Sequence, residues 1–417
     1  MKYSSLSLGL LAMFYTLSVN ANSTKLQDIL RYALNEDPRV LEAKANVAVA
    51  QTQTKISQAG HYPILSVANT QVLSQKHKDT ADKKSSRPTL KGQINLFSWG
   101  AIESEVQRDR HKEGFFKFKK DETQEQVGKT ITELYLTALR AKENIVVYKE
   151  SLKRHQNILR SIQTIANYDE GREFEVEEAK SRLLQVESII EQQSRVLNVS
   201  LSQINRYTKS PISENDLFDP FPNRQPEKFI ADYKNSSLNQ NPTYLAQQEE
   251  LASTQAGVKA AKAKLLPAIN LQGEVYNKGY EVYLGVSWNI FDSAAYHSVD
   301  HNQYSEAAAK AKLQEILLEL QEQARSSEID MKQNNRRLGV VSKQISSQKR
   351  VLSSVELQFD IAQRSLLDVL NSYKELTEIQ VEEVNIKNDY RIAALNYLIS
   401  QAQVAKWAGI QRINLNL

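Results

Sequence analysis

One local grammar is written twice in this chain. Ser57–Leu73 reads SQAGHYPILSVANTQVL and Ala261–Asn277 reads AKAKLLPAINLQGEVYN: the end of a helix, a proline, then alternating apolar and polar residues. Proline cannot continue the helical hydrogen-bond ladder, so Pro63 and Pro267 mark helix-to-strand junctions. The match extends along nearly the whole chain. Asn35-Glu36-Asp37-Pro38 lies over Asn239-Gln240-Asn241-Pro242, at the same offset as the two junction prolines. Asn95-Leu96-Phe97-Ser98 lies over Asn289-Ile290-Phe291-Asp292 at a smaller offset, so the second copy has the shorter loop. Tyr168-Asp169-Glu170-Gly171 lies over Phe359-Asp360-Ile361-Ala362, and an acid follows each at the same distance, Glu177 and Asp368. The fold must therefore use one unit twice.

The predicted organisation has a first repeat over 22–208, a linker over 209–237, a second repeat over 238–409 and a tail over 410–417. Residues 1–21 read as a signal peptide. Lys2 precedes the apolar run Leu8–Tyr15, and Val19-Asn20-Ala21 supplies small residues at the cleavage positions. That run is too short to span a bilayer, and nothing after it approaches the roughly 18 apolar residues of a membrane helix. An exported chain of this kind enters a membrane only through closed strand ladders. The absence of cysteine removes disulfides, thiolate metal sites, thiol catalysis and cysteine-linked lipid from these residues. A net charge of +4, without a basic tract interleaved with aromatics, gives no reason to expect nucleic acid.

Each copy opens with a helix, from about Thr24 to Ala59 and from about Leu238 to Leu265, with an alanine-rich face that lets a neighbour approach closely. A hairpin follows, Ile64–Leu73 with Thr89–Phe97 in the first copy and Ala268–Asn277 with Glu281–Phe291 in the second. The alternation is clean in three of the four, and in the last Val282, Leu284, Val286, Trp288 and Ile290 form an apolar row. Leu90, Ile94 and Leu96 oppose Lys91, Gln93 and Asn95; Ile269, Leu271 and Val275 oppose Asn270, Gln272 and Glu274. Strands of about 9–11 residues suit a tilted crossing of the hydrocarbon layer. On pattern alone, hairpins half-buried on a soluble core fit equally well. The first tip, Ser74 to Pro88, is long, polar and cation-rich; the second, Asn277 to Tyr280, is tight.

Long helical stretches then run from about Ala101 to Ala166 and from about Ala294 to Phe359. Some 66 residues at 1.5 Å each make a rod of about 100 Å. Shorter helices return, from about Glu173 to Tyr207 and from about Ser365 to Ala408. First and returning helices stacked end to end match the long one, so each copy is a two-column strip with a hairpin at one end and a helical turn at the other. Two hairpins are too few to close a barrel, and their open edges demand pairing with further copies of the chain. The expected fold class is mainly α with membrane β: an internally duplicated chain whose copies share an outer-membrane β-barrel that continues into a long periplasmic α-helical barrel. A periplasmic adaptor or a coiled-coil scaffold is the rival reading. An adaptor has a single helical hairpin flanked by β domains, and a scaffold has sustained heptads without paired strands.

The ordered set Asn35-x-Asp37-Pro38, Pro63 and Pro267, Asn95-Leu96-Phe97 with Asn289-Ile290-Phe291, Tyr168-x-x-Gly171 with Phe359-x-x-Ala362, and Trp407-Ala408-Gly409 resembles the TolC family of outer-membrane efflux and secretion proteins. The resemblance implies a homotrimer with a twelve-stranded barrel in outer-membrane lipid. It also implies a periplasmic adaptor and an inner-membrane ABC or proton-driven transporter as partners, with no cofactor, metal or enzymatic activity. It places a periplasmic aperture at the helical turns. Arg364 stands where the family has a closing cation, and Asp368 at the first acidic aperture position. Asn371 takes the second, weakening the inner ring; Glu177 is the acidic counterpart in the first copy and Tyr168 its turn aromatic. Ala362 replaces the usual turn glycine, which the first copy keeps as Gly171, and Phe359 replaces a common tyrosine. An acid repeated three times around a pore attracts cations. Glu173, Glu175, Glu177 and Glu178 also begin a helix, where carboxylates favour the dipole without any pore. His297 and His301, four apart beside Asp300, lack a third metal ligand. For cargo, the missing cysteine and the Gly171-Arg172 turn lean toward type I secretion of proteins such as adhesins, with small-molecule efflux as the alternative.

Overall fold

The computed structural model describes residues 25–71, 86–235, 238–277 and 279–410. The expected signal peptide, most of the 74–88 tip and the last residues of the tail lie outside the described residues. In the first copy, α1 (Lys25–Glu36) and α2 (Pro38–Gln58) lead to β1 (Ile64–Gln71) and β2 (Ser86–Phe97), then to α3 (Ala101–Ala166) and α4 (Glu173–Asn205). After α5 (Pro226–Tyr233), the second copy repeats the order: α6 (Pro242–Ala263), β3 (Ala268–Tyr276), β4 (Gly279–Ser287), α7 (Ser293–Asp360), α8 (Leu366–Ser400) and a last turn, α9 (Val404–Trp407).

The first helix is not continuous as its pattern suggests. It breaks at Asp37, which leaves helical geometry and accepts a 2.9 Å bond from the Arg39 N–H, with Pro38 at the first helical position. Asn241 does the same for Thr243 ahead of Pro242. The repeated Asx-Pro pair is thus a helix-capping device. The α1, α2 and α4 helices have 12, 21 and 33 residues beside the 66 of α3, so the stacked column and the single rod have equal length. The central rod α3 lies against α2, α4 and α6, while α7 lies against α6 and α8.

No single core exists. One cluster at mid-height joins Leu30, Ile131, Tyr135, Tyr390 and Leu398; a second near the helical turns joins Ile162, Ala179, Phe359, Leu366 and Leu370. A small third cluster joins Leu338, Val341 and Ile386 across α7 and α8, and the outer faces stay wet, as a wall rather than a globule requires. The linker is pinned to the mid-height cluster by its backbone. The Phe218 N–H donates to the Tyr135 hydroxyl at 2.8 Å, and Lys142 donates to the carbonyls of Glu214 and Leu217. Arg391, 1% exposed, bridges Glu143 on α3 and Asp219 on the linker at 2.7 and 2.8 Å.

The chain end is tied back to its beginning. The returning helix expected to reach Ala408 ends at Ser400, where the N–H of Gln403 bonds the Leu398 carbonyl and Ala402 takes φ +52°. Glu125 then accepts from the N–H groups of Val404 and Ala405, and Gln27 and Arg31 hold the carbonyls of Trp407 and Ala408. Gly128 lets this turn approach: a Cβ there would lie 2.7 Å from Val404. Gly409, at φ +79°, closes it.

Candidate functional site

The strands form one antiparallel sheet in the order β1-β2-β3-β4, the two hairpins joined through β2 and β3. The register sets two faces. On one, Lys91 faces Glu274 at 2.8 Å, Asn95 bonds Asn270 at 3.0 Å, and the Tyr283 hydroxyl donates to Gln272 at 2.7 Å. On the other stand Leu65, Val67, Leu90, Val275, Val282, Leu284 and Val286, all exposed; Val67 is 82% exposed. A sheet that satisfies its polar face and leaves its apolar face bare suits lipid on one side and water on the other. Half-buried hairpins on a soluble core do not fit this sheet, because among the described residues its apolar row stays exposed. Among the described residues no helix is long and apolar enough to cross a membrane.

The strand ends differ from the sequence pattern. A register shift between Asn95 and Phe97 brings Phe97 opposite Ile269. In the second hairpin the ladder stops at Ser287, not at Phe291. Trp288 turns its indole N–H onto the Leu265 carbonyl at 3.1 Å, and Asp292 caps α7 by accepting from the Ala295 N–H. The chain must leave the ladder to reach that cap. In the first copy Trp99, at φ +56°, turns its indole N–H onto the Pro267 carbonyl at 2.8 Å, and Gly100 follows at φ +78°. Both tryptophans therefore lock the second junction while keeping half of each ring exposed, where an aromatic belt meets headgroups. Pro63 follows a short 3₁₀ turn, Ala59–His61.

At the far end the two turns are built differently. After α7, the Gln363 N–H bonds the Gln358 carbonyl at 2.8 Å and Ala362 sits in the left-handed region at φ +61°. Arg364 donates through Nε to the Gln358 side chain at 3.0 Å. Ser365 and Asp368 form a reciprocal capping box: the Asp368 N–H donates to the Ser365 hydroxyl, and the Ser365 N–H and hydroxyl donate to the Asp368 carboxylate. Those Ser365 donors, side chain first, hold the Asp368 carboxyl below its ordinary value, with Arg364 adding to them. Asn371 is exposed one turn on. Phe359 is 8% exposed and packs into the cluster near the turns, so its ring faces the bundle rather than an opening.

The first turn, Glu170–Arg172, has no capping bond at its helix start. Arg172 lies between Asp169 and Glu175 at 3.6 and 3.5 Å, and Gly171 donates to the Asp169 side chain without a left-handed backbone. Tyr168 is 90% exposed, and Glu177 reaches Lys180 at 3.7 Å. Arg364 and Asp368 thus share one turn, while Glu177 and Tyr168 belong to the other. His297 and Asp300 are exposed and 3.9 Å apart, and no group of three or more metal-binding side chains converges among the described residues.

Residues 29–203 match the family model described as outer membrane efflux protein. Comparison with curated proteins gives no match. Among solved structures, the chain is similar to the outer-membrane channel OprN, with a TM-score of 0.78 at 15% identity over 90% of this chain and 89% of that one. It is similar to the Campylobacter jejuni CmeC outer membrane channel, with a TM-score of 0.76 at 16% identity over 93% and 87%. It is also similar to the outer membrane protein VceC from Vibrio cholerae, with a TM-score of 0.77 at 13% identity over 91% and 96%. The outer membrane efflux protein model thus lies on the first repeat, and the fold of these channels extends over nine-tenths of the chain.

Proposed function

We propose that three copies of the chain pool their sheets into one twelve-stranded barrel that continues into a helical tube. The protein is an outer-membrane channel with a long periplasmic portion, a passive conduit rather than an enzyme. The observation that carries the oligomer is the sheet itself: β1 and β4 are edges and four strands cannot close, so further copies must pair with them; the resemblance to trimeric channels sets the number at three, and three such sheets bring twelve strands. Purified protein in detergent is expected to run as a trimer and to form channels in planar bilayers. Leu284→Pro on edge strand β4 should abolish both. A stable monomer that inserts into membranes by itself would overturn the reading.

In this reading the tube is the exit duct of a tripartite export system, met at its helical end by a periplasmic adaptor and an inner-membrane ABC or proton-driven transporter. For cargo the finer proposal is type I secretion of proteins. It is supported by the absence of cysteine from these residues and by the Gly171-Arg172 turn. The efflux description of the family model favours a second reading, small-molecule export. Deletion separates them: loss of a large protein from the medium or cell surface supports secretion, and a fall in the concentration of toxic small molecules tolerated supports efflux.

The aperture is proposed at the paired turns, with Asp368 forming a ring of three acids and Arg364 holding its turn. Asp368→Asn removes the charge while retaining a capping side chain, and Arg364→Ser removes the bond to Gln358. Both should raise conductance, and the first should lower cation preference. Unchanged conductance and selectivity in both variants would remove the gate from this turn.

A further inference from the structure

Near the helical turns, one buried histidine plugs the seam between α3 and α8. His155 is 4% exposed. Its Nδ1–H donates to the Ser151 carbonyl at 2.9 Å, which settles the ring's orientation. Its face meets the Tyr373 ring of α8, centroid to centroid 5.4 Å. The same seam is laced by polar contacts. Thr377 donates to the Ser151 hydroxyl at 2.9 Å, and Tyr373 reaches across to Glu356 of α7 at 2.8 Å.

The charges around this ring are of one kind. Arg154 on its own helix and Arg182 on α4 both act against a proton on the imidazole. The hydrogen bonds of Arg154 go to neutral groups: its terminal nitrogen reaches Thr377 and Gln380, at 3.3 and 3.4 Å, its Nε has no partner, and Glu150 and Glu356 offset its charge without a direct bond. The acids nearby are committed elsewhere. Glu150 faces Arg154 and Gln380, while Glu356 and Asp360 act on Tyr373.

We propose that His155 is an acid-sensitive latch: neutral, it fills the α3–α8 seam; protonated, it is expelled, and the wall of the tube near the turns loosens. Burial first, then the two arginines, hold the imidazole below its ordinary value of 6.5. A state in which the seam is open binds the proton more tightly than the packed state. The packed seam is therefore favoured at neutral pH and loses that advantage as pH falls below about 6.5 and through the lower packed-state value. Each unit of depression makes the open seam about tenfold more accessible once pH is below both values. Proton leakage through the outer membrane makes the periplasm track external acidity, so the device would couple the tube to the medium.

The latch rests on the tube reading for its consequence but not for its test. Amide exchange is measured on the full-length protein in detergent at pH 7.5 and 5.0, corrected for intrinsic rates, for wild type, His155→Gln and Arg182→Gln. Glutamine keeps a donor for Ser151 but does not titrate. Wild type should exchange at least about threefold faster at pH 5.0 around residues 151–158 and 370–377, with no change at the mid-height cluster. His155→Gln should stay flat, and Arg182→Gln, which removes one opposing cation, should show a smaller response. No acid response in wild type, or an undiminished response in His155→Gln, overturns the proposal. In bilayers, wild-type conductance should rise with acid and that of His155→Gln should not. An exchange response in a protein that forms no channels supports the latch and removes the tube reading instead.

Discussion

The two helical turns occupy the same place in the two copies and use opposite chemistry. The first, at Tyr168–Arg172, is an uncapped 3₁₀ turn held by surface charges, with Tyr168 and Phe174 standing out into solvent. The second, at Ile361–Ser365, is a closed Schellman turn followed by a capping box, and α8 drives Leu366, Val369, Leu370 and Tyr373 into a cluster directly beyond it. The returning helices differ in the same sense. The α8 helix is buried along most of its length, whereas α4 buries only a scattered few side chains. Duplication therefore preserved the path of the chain and divided the labour. At this end of the molecule the second turn and α8 became the anchored pair, and the first turn and α4 became the pair that presents side chains outward.

The largest effects should separate the copies at equivalent positions. Arg391 on α8 stands at the repeat offset from Ser200 on α4, and both are buried. Arg391→Ala leaves Glu143 facing a void without its cation and Asp219 with only Arg224, and should cost about 3–5 kcal/mol. Ser200→Ala should cost less than about 1 kcal/mol. Thermal melts followed by circular dichroism in detergent check the ranking; equal losses would show that the anchoring is not confined to α8. Next comes the cluster near the turns. Leu370→Ala should lose about 2–4 kcal/mol, while Phe174→Ala, exposed at the other turn, should move stability by less than about 0.5 kcal/mol. A large loss in Phe174→Ala would mean that the outward half is packed in solution.

Much of this architecture was legible in the residues. The prolines, the strand alternation and the repeated Asx-Pro pair follow from local rules, because a ring without an N–H or a capping side chain acts within a few residues of itself. What escaped the sequence acts across it. Nothing near Trp99 says that its indole will find the carbonyl of Pro267, or that Trp288 will leave the strand for Leu265. Arg391 and His155 looked like ordinary polar residues on long helices, and only the α3–α8 register buries them. At the turn, Asp368 stands where the resemblance puts an acid of the opening, and the structure gives it a second role, as a cap of α8. The signal was present in Ser365-x-x-Asp368, which is a capping-box spacing.

That cap gives the next effect in size. Ser365→Ala should destabilise the second turn by about 1 kcal/mol, and no substitution at Arg172, the uncapped equivalent, should match it through loss of a cap. The Asp368 carboxyl is held below its ordinary value, so its contribution is complete above the unfolded carboxylate value and is lost as pH falls through the lower folded one. Melts of wild type and Ser365→Ala should therefore draw closer in strong acid, keeping only the difference due to the Asp368 N–H bond to the Ser365 hydroxyl, and stay fully apart at pH 5. Convergence already at pH 5 would place the depression of Asp368 elsewhere.

The smallest effect is the sharpest test of the comparison, because it predicts a sign. Ala362 holds a left-handed backbone that its Cβ disfavours by about 1–2 kcal/mol, while glycine would bring back about 0.4–1 kcal/mol of unfolded-chain entropy. Ala362→Gly should therefore stabilise the second turn by about 0.5–1 kcal/mol. Gly171 needs no such freedom: its backbone is not left-handed, and an added Cβ would meet only the tip of Asp169 at 3.2 Å, which can swing aside. Gly171→Ala should then be neutral or gain a few tenths of a kcal/mol. The glycine of the repeat thus sits in the turn that does not require it, and the alanine in the turn that does. The double swap, read by melting and by exchange at 166–174 and 358–366, should be more stable than wild type. If it is less stable, the two turns share one backbone geometry after all, and their division of labour lies in the side chains alone.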